Sequence, residues 1–357
     1  MSETKQSYLM NSSDEHDILQ LLRGFAILLV VIQHAVVLYF NSDASMIFIS
    51  ICVFIDVHVF MFVSGYLFEK KRDEYYKMGI KRFAAKKFRS LMIPYLFWES
   101  ILYFGAFILY RIPSSAGSSL MNSLGFRKLS LTQIIVGLLT FRYSYIQLYW
   151  FLFALFWVFI INYACRSFSG RIEFMVLLFI LFSVLAVILK DDDYIFTKIG
   201  RSFLTFGLGR LFNKYRPERL LNKNLILLLA SFAAFYLVFM IDIGTQNAYL
   251  YKILFSFRLT LMGMIGVVIF FILSTFLQSY KTRLTEWVIL LGNYSLSIYL
   301  LHNPWIVHIS AVVFKKLSVP DYVGTGLSII LGLTIPILLY KYLIRKSSLL
   351  SRLMLGI

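Results

Sequence analysis

Apolar segments of about twenty residues recur along this 357-residue chain from near its start to near its end, and that length lets an α-helix cross about 30 Å of hydrocarbon. Within lipid the backbone N–H and C=O groups must be satisfied inside the segment, so such runs are read as helices. Spans are expected at about 18–40, 46–68, 91–111, 149–165, 172–189, 198–213, 224–243, 253–277, 287–310 and 322–344. The expected fold is all-α: a polytopic membrane helical bundle of about ten transmembrane helices, with tails at 1–17 and 345–357 around one membrane domain, 18–344. With 59% hydrophobic and 15% charged residues, against about 25% charged in soluble domains, a soluble globular enzyme is excluded. No stretch is left for a separate soluble domain.

The net charge of +17 would suggest nucleic acid in a soluble protein, but here the basic residues sit mainly in short loops and orient the chain in a bilayer. Under the ten-span reading, the termini and the loops 69–90, 166–171, 214–223, 279–286 and 345–357 carry 21 Lys and Arg, against 7 in the opposite loops. Both termini are therefore expected to be cytoplasmic, in a bacterial cytoplasmic membrane. The polar start lacks a basic n-region, so the first span is expected to be retained. The long outer loop 112–148 contains the apolar segment 131–140, too short to cross and so expected to be re-entrant or interfacial. The loop 69–90 carries nine basic and three acidic residues with helix-like apolar spacing; it is expected to lie on the cytoplasmic face, holding either anionic lipid or a phosphate ligand. Cys52 and Cys165 lack a CxxC or His-rich setting, so neither a disulfide nor a structural metal is expected. No fixed-period repeat or inverted pair of halves is evident, which disfavours the commonest transporter designs.

Ionisable side chains inside spans are costly and mark candidate sites. In the first span Arg23 and His34 are eleven residues apart, which leaves them within about 20° on one helical face and roughly 16 Å apart along the axis. Arg23 could alternatively snorkel to headgroups, and His34 could be a neutral imidazole satisfied by one polar neighbour; together they suggest a catalytic pair. Other candidates are Asp56, His58, Glu99, Arg201, Arg210, Arg258, His302 and His308. Asp56 and His58 are two residues apart and so point to different faces. Glu99 is a candidate buried counter-ion. Trp150, Trp157, Trp287 and Trp305 fit an interfacial belt, with Trp150 in QLYWFLFALFW the one that also suggests a binding surface.

Several short motifs in order resemble the acyltransferase family 3 membrane proteins, especially stand-alone polysaccharide and sugar O-acetyltransferases of the fucose 4-O-acetylase group. The family's Arg, ten residues, His signature is matched by Arg23 to His34, and its second-span segment ending in Ser-Gly-Tyr-Leu by His58 to Leu67. Its Arg-x-x-Arg element followed by Leu-x-x-Pro-Tyr resembles Lys86 to Tyr95, its Trp-Phe-Leu element matches Trp150 to Leu152, and its Ser-x-x-Ile-Tyr-Leu-x-His element matches Ser295 to His302. Two departures stand out: Lys86 replaces the usual first Arg of the basic pair, giving a point charge in place of a fork, and Val59 stands where a proline often follows the histidine.

The resemblance implies transfer of an acetyl or other short acyl group from cytoplasmic acetyl-CoA to a hydroxyl of an extracytoplasmic carbohydrate, such as a capsular or cell-surface polysaccharide. No permanently bound cofactor is implied. It further implies that Arg23, Lys86 and Arg89 hold the donor's phosphates and that His34 is the general base or forms an acyl-His intermediate. His302, His58 and Trp150 would contact the acceptor. Ser64 is a substrate-site candidate, though a small residue permitting close helix packing is the preferred reading. The chain ends thirteen residues after its last expected span, so the membrane domain is expected to acylate the acceptor itself. Two rivals remain: an exporter or flippase of a polysaccharide or lipid-linked sugar, with Pro94, Pro304 and Pro336 shaping a gated path, and a haem carrier ligated by His34, His58 and His302.

Overall fold

The computed structural model describes residues 12–111, 128–141, 148–168, 171–189 and 195–357, which are helical with no strand among them. Helix α1 (Ser12–Tyr39) is followed by α2 (Asp43–Lys70), α3 (Arg72–Met78), α4 (Ile80–Lys87), a π-helical turn at Phe88–Met92, and α5 (Ile93–Leu109). Then come α6 (Leu131–Thr140), α7 (Trp150–Ala164), α8 (Ile172–Ile188), α9 (Ile195–Tyr215) and α10 (Leu225–Met240). The last part holds α11 (Ala248–Tyr280), α12 (Arg283–Asn293), α13 (Ser295–Leu301), α14 (Val307–Lys316) and α15 (Asp321–Tyr342). Five helical runs are long and apolar enough to cross a membrane among the described residues, and α12 with α13 passes the same test as a pair. The fold is a helical membrane bundle.

Contacts divide the chain into two compact units. The first comprises Met1–Arg72, Gly170–Val176 and Arg201–Leu339, the second Asp73–Ser169, Leu177–Gly200 and Tyr340–Ile357. In the first unit α1 packs against α2, α11, α12, α13 and α14. Two glycines bring α1 and α12 backbone to backbone: a Cβ on Gly24 would stand 2.1 Å from the Val288 carbonyl oxygen, and one on Gly292 would stand 2.0 Å from that of Gln20. Small residues serve this purpose between membrane helices, where water gives no hydrophobic drive and close van der Waals contact must supply the attraction. The core joins Ile18, Leu22 and Ala26 of α1 to Val59 and Phe62 of α2, Phe212 of α9 and Phe271 of α11.

A layer of ion pairs closes one end of this unit. Glu15 meets Lys70 at 2.7 Å and Arg216 at 3.3 Å, while Glu69 meets Arg72 and Arg210, each at 2.8 Å. Arg216 also donates to the Tyr66 hydroxyl at 2.7 Å, and Gln278 donates to Asp14 at 2.7 Å. This layer fixes a common height for the ends of α1, α2, α9 and α11.

In the second unit, α6 starts with a capping box of Ser130 and Gln133 and packs its Ile134 on Tyr103 of α5, while Tyr95 donates to the Leu138 carbonyl at 3.2 Å. Expected as re-entrant or interfacial, 131–140 is a ten-residue helix; the rest of that loop, 112–127 and 142–147, lies outside the described residues.

Two expected spans are corrected. The third span does not begin at 91, because α4, the π turn and α5 form one helical run from Ile80 to Leu109. The ninth span, expected as one helix over 287–310, is broken: α12 and α13 meet at 63° and α14 restarts at Val307. Pro304 has no N–H to continue a helix and disfavours helical geometry at Asn303. The segment 345–357 is folded, with Trp98 donating to the Met354 carbonyl at 3.0 Å and Leu355 buried. Helix α1 starts at Ser12, ahead of the first expected span.

Candidate functional site

Helix α1 runs without interruption through Arg23 and His34, so the helical phase holds and both side chains share one face. Gln33 is one position off that face. It donates to the carboxylate of Asp56 on α2, which also receives the Val57 N–H. On the other side, Gly24 and Gln20 seat α12. The His34 face therefore opens between α2 and the broken segment that carries His302.

At that break the chain places His302 and Asn303 against His34. The His34 and His302 ring centroids are 5.3 Å apart at an interplanar angle of 47°, and the Asn303 amide nitrogen lies 3.4 Å from His34 Nδ1. His302 is fully buried, and its Nδ1 lies 2.8 Å from the Ile298 carbonyl and 2.9 Å from that of Tyr299. Carbonyl oxygens only accept, so Nδ1 carries the proton and a neutral ring keeps its lone pair on Nε2. That Nε2 is buried with no hydrogen-bond partner among the described residues. The end of a seven-residue helix thus supplies an imidazole of fixed tautomer, its basic nitrogen available.

Asp56 and His58 diverge as their spacing requires. Asp56 turns to Gln33 of α1, whereas the His58 ring packs on Gly263 of α11, where a Cβ would stand 2.3 Å from it. Ser64 is half-buried beside Gly65, which lies against the Phe206 backbone, 1.9 Å from where a Cβ would be; the geometry there is that of a packing contact. Arg23 is half-buried and makes no ion pair or side-chain hydrogen bond among the described residues. Arg210 is tied to Glu69, and Arg258 donates to the Ile241 carbonyl at 2.6 Å. His308 is half-buried on α14. Sequence reasoning missed Gln33 and Asn303. The His-Asn-Pro triplet was the available signal, since an asparagine before a proline lies outside regular helix and frees its amide.

The second unit carries the remaining candidates. Lys86 is exposed on α4, 3.9 Å from Glu74 and 5.5 Å above the Tyr75 ring. Arg89 is exposed in the π-helical turn, and the chain end lies on its backbone at Gly356. Such turns interrupt regular helix and recur at functional sites. Trp150 opens α7 with Lys198 5.1 Å over its ring, so one aromatic face already holds a cation. Glu99 is fully buried on α5, one turn from Tyr95. No group of three or more His, Cys, Asp or Glu among the described residues is placed to hold a metal ion.

In comparison with known proteins, a family model described as an acyltransferase domain matches residues 16–341. No curated protein and no solved structure matches the chain.

Proposed function

The chain belongs to acyltransferase family 3, and from that premise we propose that it is an O-acyltransferase moving an acetyl group from acetyl-CoA to a carbohydrate hydroxyl on the far side of the cell membrane. The observation that carries the proposal is the meeting of His34 with His302 and Asn303 where the chain leaves helix between α13 and α14. Interrupted helices at membrane depth are a recurrent way to build binding sites, because they free backbone and polar side chains from the regular ladder.

His34 acts as the general base. Its Nε2 takes the proton of the acceptor hydroxyl as the oxygen attacks the thioester carbonyl, the C–S bond breaks on collapse, and the thiolate leaves with that proton. The role requires Nδ1–H to be held by an acceptor. A half-turn of the Asn303 amide supplies one, because its Oδ1 is buried without a partner among the described residues and the turn brings oxygen to where nitrogen stands. His302 Nε2 accepts a hydrogen bond from an acceptor hydroxyl and orients it. Lys86 and Arg89, both exposed, are the groups proposed to meet the donor's phosphates. Arg23 is proposed as a guanidinium for the donor, and Trp150 as a ring surface for sugar.

The test compares surface glycan from cells expressing wild-type protein and His34→Ala by NMR, with membrane levels matched. Loss of one O-acyl signal in the variant is expected. Wild-type acylation in the variant would overturn the assignment.

A further inference from the structure

We infer that Arg201 holds the oxyanion that forms at the thioester carbonyl, an assignment that rests on the acyl-transfer reading above. Leu208 and Phe212 follow Arg201 by seven and eleven residues on α9, which places each within about 20° of Arg201 on one helical face. That face is internal: both residues pack into the core of α1, α2 and α11, with the Phe212 ring 5.0 Å from Phe62 and 5.6 Å from Phe271. Gly65 and Gly209 hold α9 tightly against α2 in the same unit. Arg201 therefore stands on the core-facing side, two turns beyond Leu208.

The ion-pair layer gives its height. Arg216, the residue after α9, meets Glu15 of α1. Counting along each helix at 1.5 Å per residue puts Arg201 about 22 Å above that layer, Arg23 about 12 Å and His34 about 28 Å. In height Arg201 thus lies between the two, roughly 6–10 Å below His34 along the axis. On α2, Asp56 and His58 fall at nearly the same height as Arg201, about 21 and 18 Å from Lys70. Asp56 is engaged by Gln33 and the Val57 N–H.

Arg201 is half-buried, and its guanidinium makes no ion pair or hydrogen bond among the described residues, whereas Arg210 on the same helix is paired with Glu69 at 2.8 Å. An unpaired guanidinium inside a membrane bundle is costly to keep. Addition of the acceptor oxygen shifts the carbonyl π electrons onto oxygen, and the resulting negative charge is what such a cation is placed to meet. Base and oxyanion donor each stand about 3 Å from a different oxygen on the reacting carbon, a division of labour that suits a long guanidinium side chain rooted below the level of the imidazole.

The test uses Arg201→Met and Arg201→Lys with three readouts. They are the rate of alkali-labile labelling of surface glycan in cells fed labelled acetate, the Kd of the purified protein for coenzyme A, and its melting temperature. For Arg201→Met a fall in labelling of about 10²–10³-fold is expected, with coenzyme A affinity within twofold of wild type and melting at or above the wild-type temperature. Arg201→Lys is expected to keep part of the rate. Labelling within threefold of wild type in Arg201→Met overturns the inference, and so does tenfold weaker coenzyme A binding, which would move Arg201 to the donor's phosphates. An unfolded Arg201→Met also overturns it, by showing that the side chain supports the fold. If wild-type protein confers no labelling, the acyl-transfer reading itself fails; normal wild-type labelling with an unaffected Arg201→Met removes the Arg201 role alone.

Discussion

Replacing Asn303 by alanine removes the group that faces His34 Nδ1 at 3.4 Å and leaves the His302 ring, held by the Ile298 and Tyr299 carbonyls, in place. In the resting enzyme the Asn303 bond is an ordinary hydrogen bond, worth about 1 kcal/mol net. When His34 accepts the proton, the same bond becomes charge-assisted and roughly twice as strong. The bond therefore favours the transition state, and its loss is expected to lower kcat about 10–100-fold at about 1.4 kcal/mol per tenfold. Donor KM should stay unchanged, because uniform binding is not touched. Initial rates of O-acyl labelling across a range of acetyl-CoA concentrations, in permeabilised cells with matched protein levels, measure both parameters. Asn303→Asp, which keeps an acceptor oxygen, is expected to recover most of the rate. A twofold or smaller drop for Asn303→Ala, or an effect confined to donor KM, would refute the claim that Asn303 orients the base.

Substitution of His302 by phenylalanine keeps ring volume and removes the buried Nε2, so acceptor KM should rise with at most a modest loss of fold stability, read by acceptor titration and thermal melting. Gly24→Val puts a Cβ within 2.1 Å of the Val288 carbonyl; the backbones must separate, and a loss of about 3 kcal/mol or more is expected from overpacking, seen as a lower melting temperature in detergent. Arg210→Ala leaves Glu69 without one partner of a buried pair, with side-chain exposures of 4% and 7%, and should destabilise by about 3–5 kcal/mol. The double variant Arg210→Met with Glu69→Gln should recover part of that loss in the same melt.

The sequence made α1 legible because one unbroken helix carries both Arg23 and His34, and a helix of fixed pitch turns spacing directly into direction. The same rule separated Asp56 from His58. The break that brings His302 and Asn303 to His34 was not legible from hydropathy, since 287–310 is equally apolar straight or bent, and only Pro304 marked it. The helix-like spacing within 69–90 pointed to α4, but the charge of IKRFAAKK hid that it continues through a π turn into α5. The folding of 345–357 depended on Trp98 of α5 donating to the Met354 carbonyl, a contact between segments far apart in sequence that no local pattern encodes.

The most direct measurement uses inverted membrane vesicles, with labelled acetyl-CoA added outside and the label then sought as an ester on carbohydrate inside. The expected result is lumenal, alkali-labile label with wild-type protein and none with His34→Ala. Label that stays with the donor, or that enters at the same rate without His34, would contradict acyl transfer across the membrane through this imidazole.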